Sequence, residues 1–113
     1  MKIYIAGKVT GLDYNEAVAK FANAEKQLTE AGIAPENIVN PTRYVPEETP
    51  WKAAMDICIE LLQGCTAIYI QRDWRDSFGT KHEIKHAQQR RMDMYWEEMN
   101  DLALIGNLIA AGV

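Results

Sequence analysis

Basic charge is scarce in this chain. Twelve lysines and arginines stand against sixteen aspartates and glutamates, a net charge of −4 at pH 7. A surface that grips a polynucleotide backbone needs a positive excess to displace counterions, so a general nucleic-acid binder is excluded. Long apolar runs are also missing. The first, Ile3-Tyr4-Ile5-Ala6, is too short for the core of a secretory signal. The last, Leu102 to Val113, is too short to span a bilayer and is broken by Gly106 and Asn107. Cysteine is limited to Cys58 and Cys65. The spacing assigns both to one helix, where seven residues rise about 10 Å, beyond disulfide reach. These absences predict a cytoplasmic protein with free thiols and no membrane partner. No repeat, low-complexity tract or Gly/Ser linker divides the chain.

What is present is ordinary globular material. At 113 residues, 48% hydrophobic and 25% charged, the chain fits one domain over residues 1–113. It should bury roughly 65% of its unfolded surface without help from metal or disulfide. Lys2–Ala6 reads as a buried strand stopped by Gly7. Asn15–Ala31 reads as an amphipathic helix, with Ala17, Val18, Phe21, Ala24 and Leu28 at three- and four-residue steps and Gly32 as its stop. A short strand over Asn37–Val39 ends at Asn40-Pro41, and a loop with Pro41, Pro46 and Pro50 follows. Trp51–Gly64 is the second helix and Thr66–Gln71 a strong strand. A polar loop, Arg72–Phe78, leads through Gly79-Thr80 to a third helix over Lys81–Arg91. Met92–Trp96 is a fourth strand or a continuation of that helix, and Glu97–Ala111 is the last helix.

Strands alternating with helices imply βαβ units, right-handed crossovers and a parallel sheet covered on both faces. Ligands of such folds sit at the carboxyl ends of the strands, near the reversal in strand order. Those ends carry Ala6-Gly7-Lys8, Asn40-Pro41 and Gln71-Arg72-Asp73-Trp74.

Three groups of residues near these ends can carry chemistry. Gly7-Lys8-Val9-Thr10-Gly11 offers backbone amides and close approach, although its spacing fits neither of the common phosphate-binding glycine patterns. It is equally read as a plain strand-to-helix turn. The segment from Asp73 to Glu83 runs from a strand end into a helix, with Ser77, Gly79 and Thr80 at the helix entrance. Thr80 and Glu83 fit a capping box; the functional reading instead makes Glu83 a carboxylate facing the ligand, a nucleophile or an acid/base. Trp74 in the same loop offers a ring for a base to stack on, whereas Trp51 and Trp96 read as core or interface anchors. The third group is a charge block: Lys81, Lys85, Arg90 and Arg91, then Asp93, Glu97, Glu98 and Asp101. It attracts phosphate, complements a second copy, or is simply solvated. His82-Glu83-Ile84-Lys85-His86 matches the H-E-x-x-H pattern of zinc peptidases. The helix is basic and no third ligand is evident, so surface histidines are expected and no metal.

Read in order, Ile3-Tyr4-Ile5-Ala6-Gly7 with Thr10-Gly11, Asn40-Pro41, Trp51 with Met55, Cys65-Thr66-Ala67-Ile68-Tyr69, and Trp74, Ser77, Gly79, Thr80 and Glu83 resemble an uncharacterised domain family of bacteria and phages. That family is similar to the nucleoside 2-deoxyribosyltransferases, and the resemblance runs from Met1 to about Ala87. It implies a flavodoxin-like three-layer sandwich with a central parallel sheet of four or five strands. It implies Glu83 as the nucleophile on the deoxyribose anomeric carbon, oriented by Tyr4. The chemistry resembles that of retaining glycosidases, with a carboxylate ester as intermediate. The acidic residue that such transferases carry before the third strand falls at Cys58, the Asp at that strand's entrance is Thr66, and the Pro after Ala6-Gly7 is Lys8.

The expected function is therefore cleavage or transfer at the N-glycosidic bond of a nucleoside or nucleotide. Glu83 and Tyr4 carry the catalysis, and Gly7, Lys8, Thr10, Asn40, Trp74, Ser77, Gly79 and Thr80 the binding. No cofactor is expected. The alternative is a module that binds or senses a nucleotide without turnover. Related folds complete their sites across a dimer, so a homodimer or larger homo-oligomer is the expected partner state.

Overall fold

The computed structural model describes residues 1–112. Its centre is a sheet of four parallel strands: β1 (Ile3–Ala6), β2 (Ile38–Val39), β3 (Ala67–Ile70) and β4 (Asp93–Trp96), in the order β2-β1-β3-β4. Ile3 pairs with Ile38 on one side and with Ala67 on the other, and Ala67 pairs in turn with Asp93. Every residue of β1 and β3 is buried, as strands covered on both faces must be. Side chains alternate between the faces. Ile3 and Ile5 join Phe21, Leu28 and Ile105 in one core, while Tyr4 and Ala6 join Leu62, Ile84 and Ala87 in another.

Four helices supply those cores: α1 (Tyr14–Glu30), α2 (Trp51–Gln63), α3 (Phe78–Gln89) and α4 (Asp101–Ala110). Helices α1 and α4 cover one face of the sheet, and α2 and α3 the other. This is an α/β flavodoxin-like three-layer sandwich with four strands. Helix α1 forms because Asp13 caps it, accepting from the Glu16 amide at 3.2 Å. Ala17, Phe21, Ala24 and Leu28 make its buried stripe. Phe21→Ala would remove the largest of these and cost about 3–5 kcal/mol. Gly32, at φ +113°, turns the chain out of α1 in a conformation other residues resist.

Several boundaries differ from those the sequence predicts. Helix α3 begins at Phe78, not Lys81, because Ser77 is its cap: Ser77 Oγ accepts from the Thr80 amide at 3.1 Å. The Thr80–Glu83 capping box is therefore not formed, and Thr80 sits inside the first turn. Met92 closes α3, Asp93–Trp96 is a strand, and Asn100 in the left-handed region separates a short turn at Glu97–Met99 from α4. Cys65 lies past the Gly64 cap of α2, not within the helix, and both thiols are free. No helix among the described residues is long and apolar enough to cross a membrane.

The connection from β1 through α1 leads to β2 on one side, and that from β2 through α2 passes over β1 to β3. Strand order thus reverses between β1 and β3. The loops leaving these two strands splay apart there, opening a crevice at the carboxyl edge of the sheet.

Candidate functional site

That crevice is a cleft of about 650 Å³. The sheet forms its floor through Tyr4 and Gly7, the loop after β1 supplies Thr10, and the start of α3 supplies Ser77, Gly79, Thr80 and Glu83. The structure brings these seven sequence-selected residues to one place.

Glu83 is the centre of the arrangement. It is 5% exposed, and Tyr4, fully buried, donates its hydroxyl hydrogen to Glu83 Oε2. Two periodicities create the contact. Tyr4 points to the α2–α3 face because side chains on β1 alternate, and Glu83 lies on the inner face of α3 with Thr80 and Ala87. The other carboxylate oxygen, Oε1, makes no hydrogen bond among the described residues. It is also not one of the two sealed, unpartnered side-chain atoms there, Tyr69 Oη and Gln71 Nε2. Oε1 is therefore the oxygen that opens on the cleft.

Burial dominates the electrostatics. Desolvation pushes the Glu83 carboxyl up to about 8, against the opposing pull of the Tyr4 hydrogen bond. Tyr4 is raised well above the ordinary phenol value by burial and then by the Glu83 charge. Cys58, on the cleft-facing side of α2, is pushed up to about 11 by burial and then by Glu83, so it is a neutral thiol beside the pair. Near neutrality the carboxyl thus mostly keeps its proton, beside a neutral phenol and a neutral thiol.

Two glycines let helix and sheet approach the ligand space. A Cβ on Gly79 would stand 3.0 Å from Met55 Sδ, so the start of α3 lies close against α2 and a side chain there would have to displace the methionine. A Cβ on Gly7 would meet Gln71 Nε2 at 2.3 Å. Behind Gly7, Lys20 Nζ pairs with Asp73 at 2.6 Å, and Asp73 also accepts the Lys8 amide at 3.1 Å, which ties the β1 and β3 loops together.

Three sequence-selected residues lie outside the cleft lining. Asn40 is 2% exposed and used up structurally. Its Oδ1 accepts from the Thr42 amide and hydroxyl, and its Nδ2 donates to Glu25, so it caps the turn at Pro41–Arg43. Lys8 engages Asp73 through its backbone, and its side chain runs past Gly11. Trp74 is turned away altogether. Its indole donates to Glu98 at 2.9 Å, its ring meets Trp96 edge-on at 5.3 Å, and the Arg75 guanidinium lies 4.4 Å from its centroid. The loop that carries it is held by exposed Arg72–Glu97 and Arg75–Glu98 pairs.

Other cleft residues escaped sequence reasoning. Trp51 and Phe78 open α2 and α3, lie 5.8 Å apart between centroids, and flank the mouth. The available signal was their position: each is an aromatic at the first turn of a helix that starts at the ligand edge. The H-E-x-x-H segment divides between two environments, with His82 exposed and Glu83 buried. His82 and His86 face each other edge-on at 4.8 Å, while Glu83 turns inward to Tyr4. No three His, Cys, Asp or Glu among the described residues are grouped to hold a metal ion.

A family model described as a domain of unknown function, DUF4406, matches residues 1–96. The match takes in all four strands and the whole cleft and stops before α4. Neither the comparison with curated proteins nor that with solved structures gives a match.

Proposed function

The chain belongs to the DUF4406 family of domains of unknown function, and for this member we propose an enzyme acting on the N-glycosidic bond of a nucleoside or nucleotide, akin to the nucleoside 2-deoxyribosyltransferases. The observation that carries this reading is the Glu83–Tyr4 pair at the closed end of the cleft. A carboxylate held by one oxygen and open at the other is prepared to attack a carbon centre.

In the proposed reaction Glu83 Oε1 attacks the anomeric carbon as the bond to the base nitrogen breaks. The bonding pair leaves on that nitrogen, which gains a proton from solvent or from the ligand's surroundings. The positive charge developing on the sugar ring is matched by the carboxylate, and Tyr4 keeps the second oxygen fixed. Water then attacks the same carbon, releases Glu83 and gives up its proton; a second base nitrogen in place of water makes the reaction a transfer. Tyr4 is a positioning residue here, because it acts through Glu83.

With the carboxyl at about 8, roughly one Glu83 in ten is ionised in the empty site at pH 7. Base release should therefore rise with pH up to about 8. The test is incubation with 2′-deoxynucleosides and their 5′-monophosphates, with free base quantified by chromatography. Release that vanishes in Glu83→Ala is the expected result, and release that persists unchanged in that variant refutes the assignment.

The same neutral carboxyl favours a second reading, nucleotide binding without turnover. It requires that nucleotides raise the melting temperature while no product forms, and product formation removes it.

A further inference from the structure

The mouth of the cleft carries an unusual investment of aromatic surface. Phe78 is 76% exposed and Trp51 is 45% exposed, although each ring sits at the first turn of a helix that packs on the sheet. Phe78 could be any polar residue if only the start of α3 mattered, because Ser77 supplies the cap. The two rings are inclined at 49°, so they do not satisfy one another by stacking. Met55 lies one turn along α2 from Trp51, with its Sδ against Gly79.

Position relative to Glu83 fixes what such a pair can hold. Trp51 Nε1 lies 3.9 Å from the point where a Gly79 Cβ would stand, and Gly79 precedes Glu83 by one turn on the same face of α3. Four residues rise about 6 Å. That is the distance over which a sugar carbon at the carboxylate is followed by the ring bonded to it. Trp51 lines the cleft, and its indole N–H bonds no protein acceptor among the described residues.

We propose that Trp51 and Phe78 form a subsite for a planar heteroaromatic ring, with the Trp51 N–H donating to an acceptor on the ring's edge. The inference rests on the reading above for the place of the ring in a substrate, as the base of the nucleoside, and assigns to this pair the stacking role expected of Trp74 from its loop position. Recognition of this kind tolerates different bases, because every base offers a π-face. Selectivity then follows from which edges present an acceptor to the indole N–H.

The test uses free adenine and free thymine as probes and 2-deoxyribose as the control without a ring, titrated into the wild-type chain by calorimetry. Phe78→Ala and Trp51→Ala should each weaken binding of the bases by about tenfold or more, as loss of a stacking partner does. Trp51→Phe should keep most of the stacking and lose the discrimination between bases. Binding of 2-deoxyribose should not change. Base affinity equal in wild type and both alanine variants overturns the proposal, as does no binding of either base at millimolar concentration. Sedimentation of the same variants supplies the competing outcome: a fall in mass with base affinity unchanged would make the pair a contact between copies and overturn the subsite. Failure of the N-glycosidic reading looks different. Base binding sensitive to Trp51 and Phe78, with no base released from deoxynucleosides, refutes the chemistry and leaves the subsite standing.

Discussion

Replacing Glu83 by glutamine isolates the energetic consequence of burying a carboxyl at the base of the cleft. Glutamine keeps the shape and keeps an oxygen to accept the Tyr4 hydroxyl, but cannot ionise. In the unfolded chain Glu83 titrates near 4.5, and in the folded chain near 8 because burial penalises the charge. The folded state therefore holds a proton that the unfolded state has lost throughout that interval. Stability is highest below the unfolded value, falls as pH rises toward 8, and is level above it. At 1.36 kcal/mol per unit, a displacement of this size amounts to about 5 kcal/mol, of which about 4 kcal/mol falls between pH 5 and 9. That is a large part of the roughly 5–15 kcal/mol that holds a typical domain together. The assay is urea unfolding of wild type and Glu83→Gln from pH 5 to 9, followed by far-UV circular dichroism. Subtracting the two curves cancels the groups they share, including Cys58, which titrates only at about 11 in the folded chain. The wild type should lose stability relative to the variant across the series by about 4 kcal/mol. A difference that stays constant within about 1 kcal/mol would refute the reasoning, because a carboxyl in contact with bulk water has no such pH dependence.

Three further outcomes follow from the same geometry. Tyr4→Phe removes the hydrogen bond that holds the Glu83 carboxyl down, so the midpoint of Glu83 should rise by roughly one to two pH units, read by NMR of a carboxyl-labelled chain; an unchanged or lower midpoint contradicts the assignment. Asn40→Ala deletes the cap on the Pro41–Arg43 turn and should cost about 1–2 kcal/mol in urea unfolding. A loss near zero would mean that Pro41 alone holds the turn. Gly7→Ala drives a methyl into the Gln71 amide and should cost about 1–3 kcal/mol, whereas no loss would show that the amide swings out freely.

The layered sheet was legible because its signals are local. β1 and β3 are short runs of Ile, Tyr and Ala bounded by turn residues, and α1 repeats its apolar residues at helical spacing. The start of α3 was not legible. Ser77 and Thr80 are both good caps, and Glu83 follows Thr80 at the spacing of a capping box. What decides between them is Tyr4, 79 residues away, which takes the Glu83 carboxylate and leaves the cap to Ser77. The placement of Trp74 was not legible for a similar reason. A tryptophan in a loop at the ligand edge can face the cleft or leave it, and Glu97 and Glu98, more than twenty residues later, pull this loop outward. Asn40 is the bland counterpart, an amide whose three hydrogen bonds to Thr42 and Glu25 leave little for a ligand.

The Tyr4–Glu83 contact itself follows from two periods that the sequence does carry. On β1, Tyr4 shares parity with Ala6, and their register partners on β3, Ile68 and Ile70, face the same helix pair. On α3, Glu83 follows Thr80 by three residues and precedes Ala87 by four, which puts all three on the face turned to the sheet. A carboxyl fixed on that face has to end among buried groups. Its cheapest partner there is a neutral hydroxyl, since a buried lysine or arginine would have to be desolvated as well. A tyrosine also leaves the carboxyl protonated near neutral pH, where an arginine would hold it ionised. The choice of Tyr4 over a cation is thus what keeps the group able to change protonation when a ligand enters, and a Tyr4→Lys chain should lose that property by holding Glu83 ionised well below pH 7.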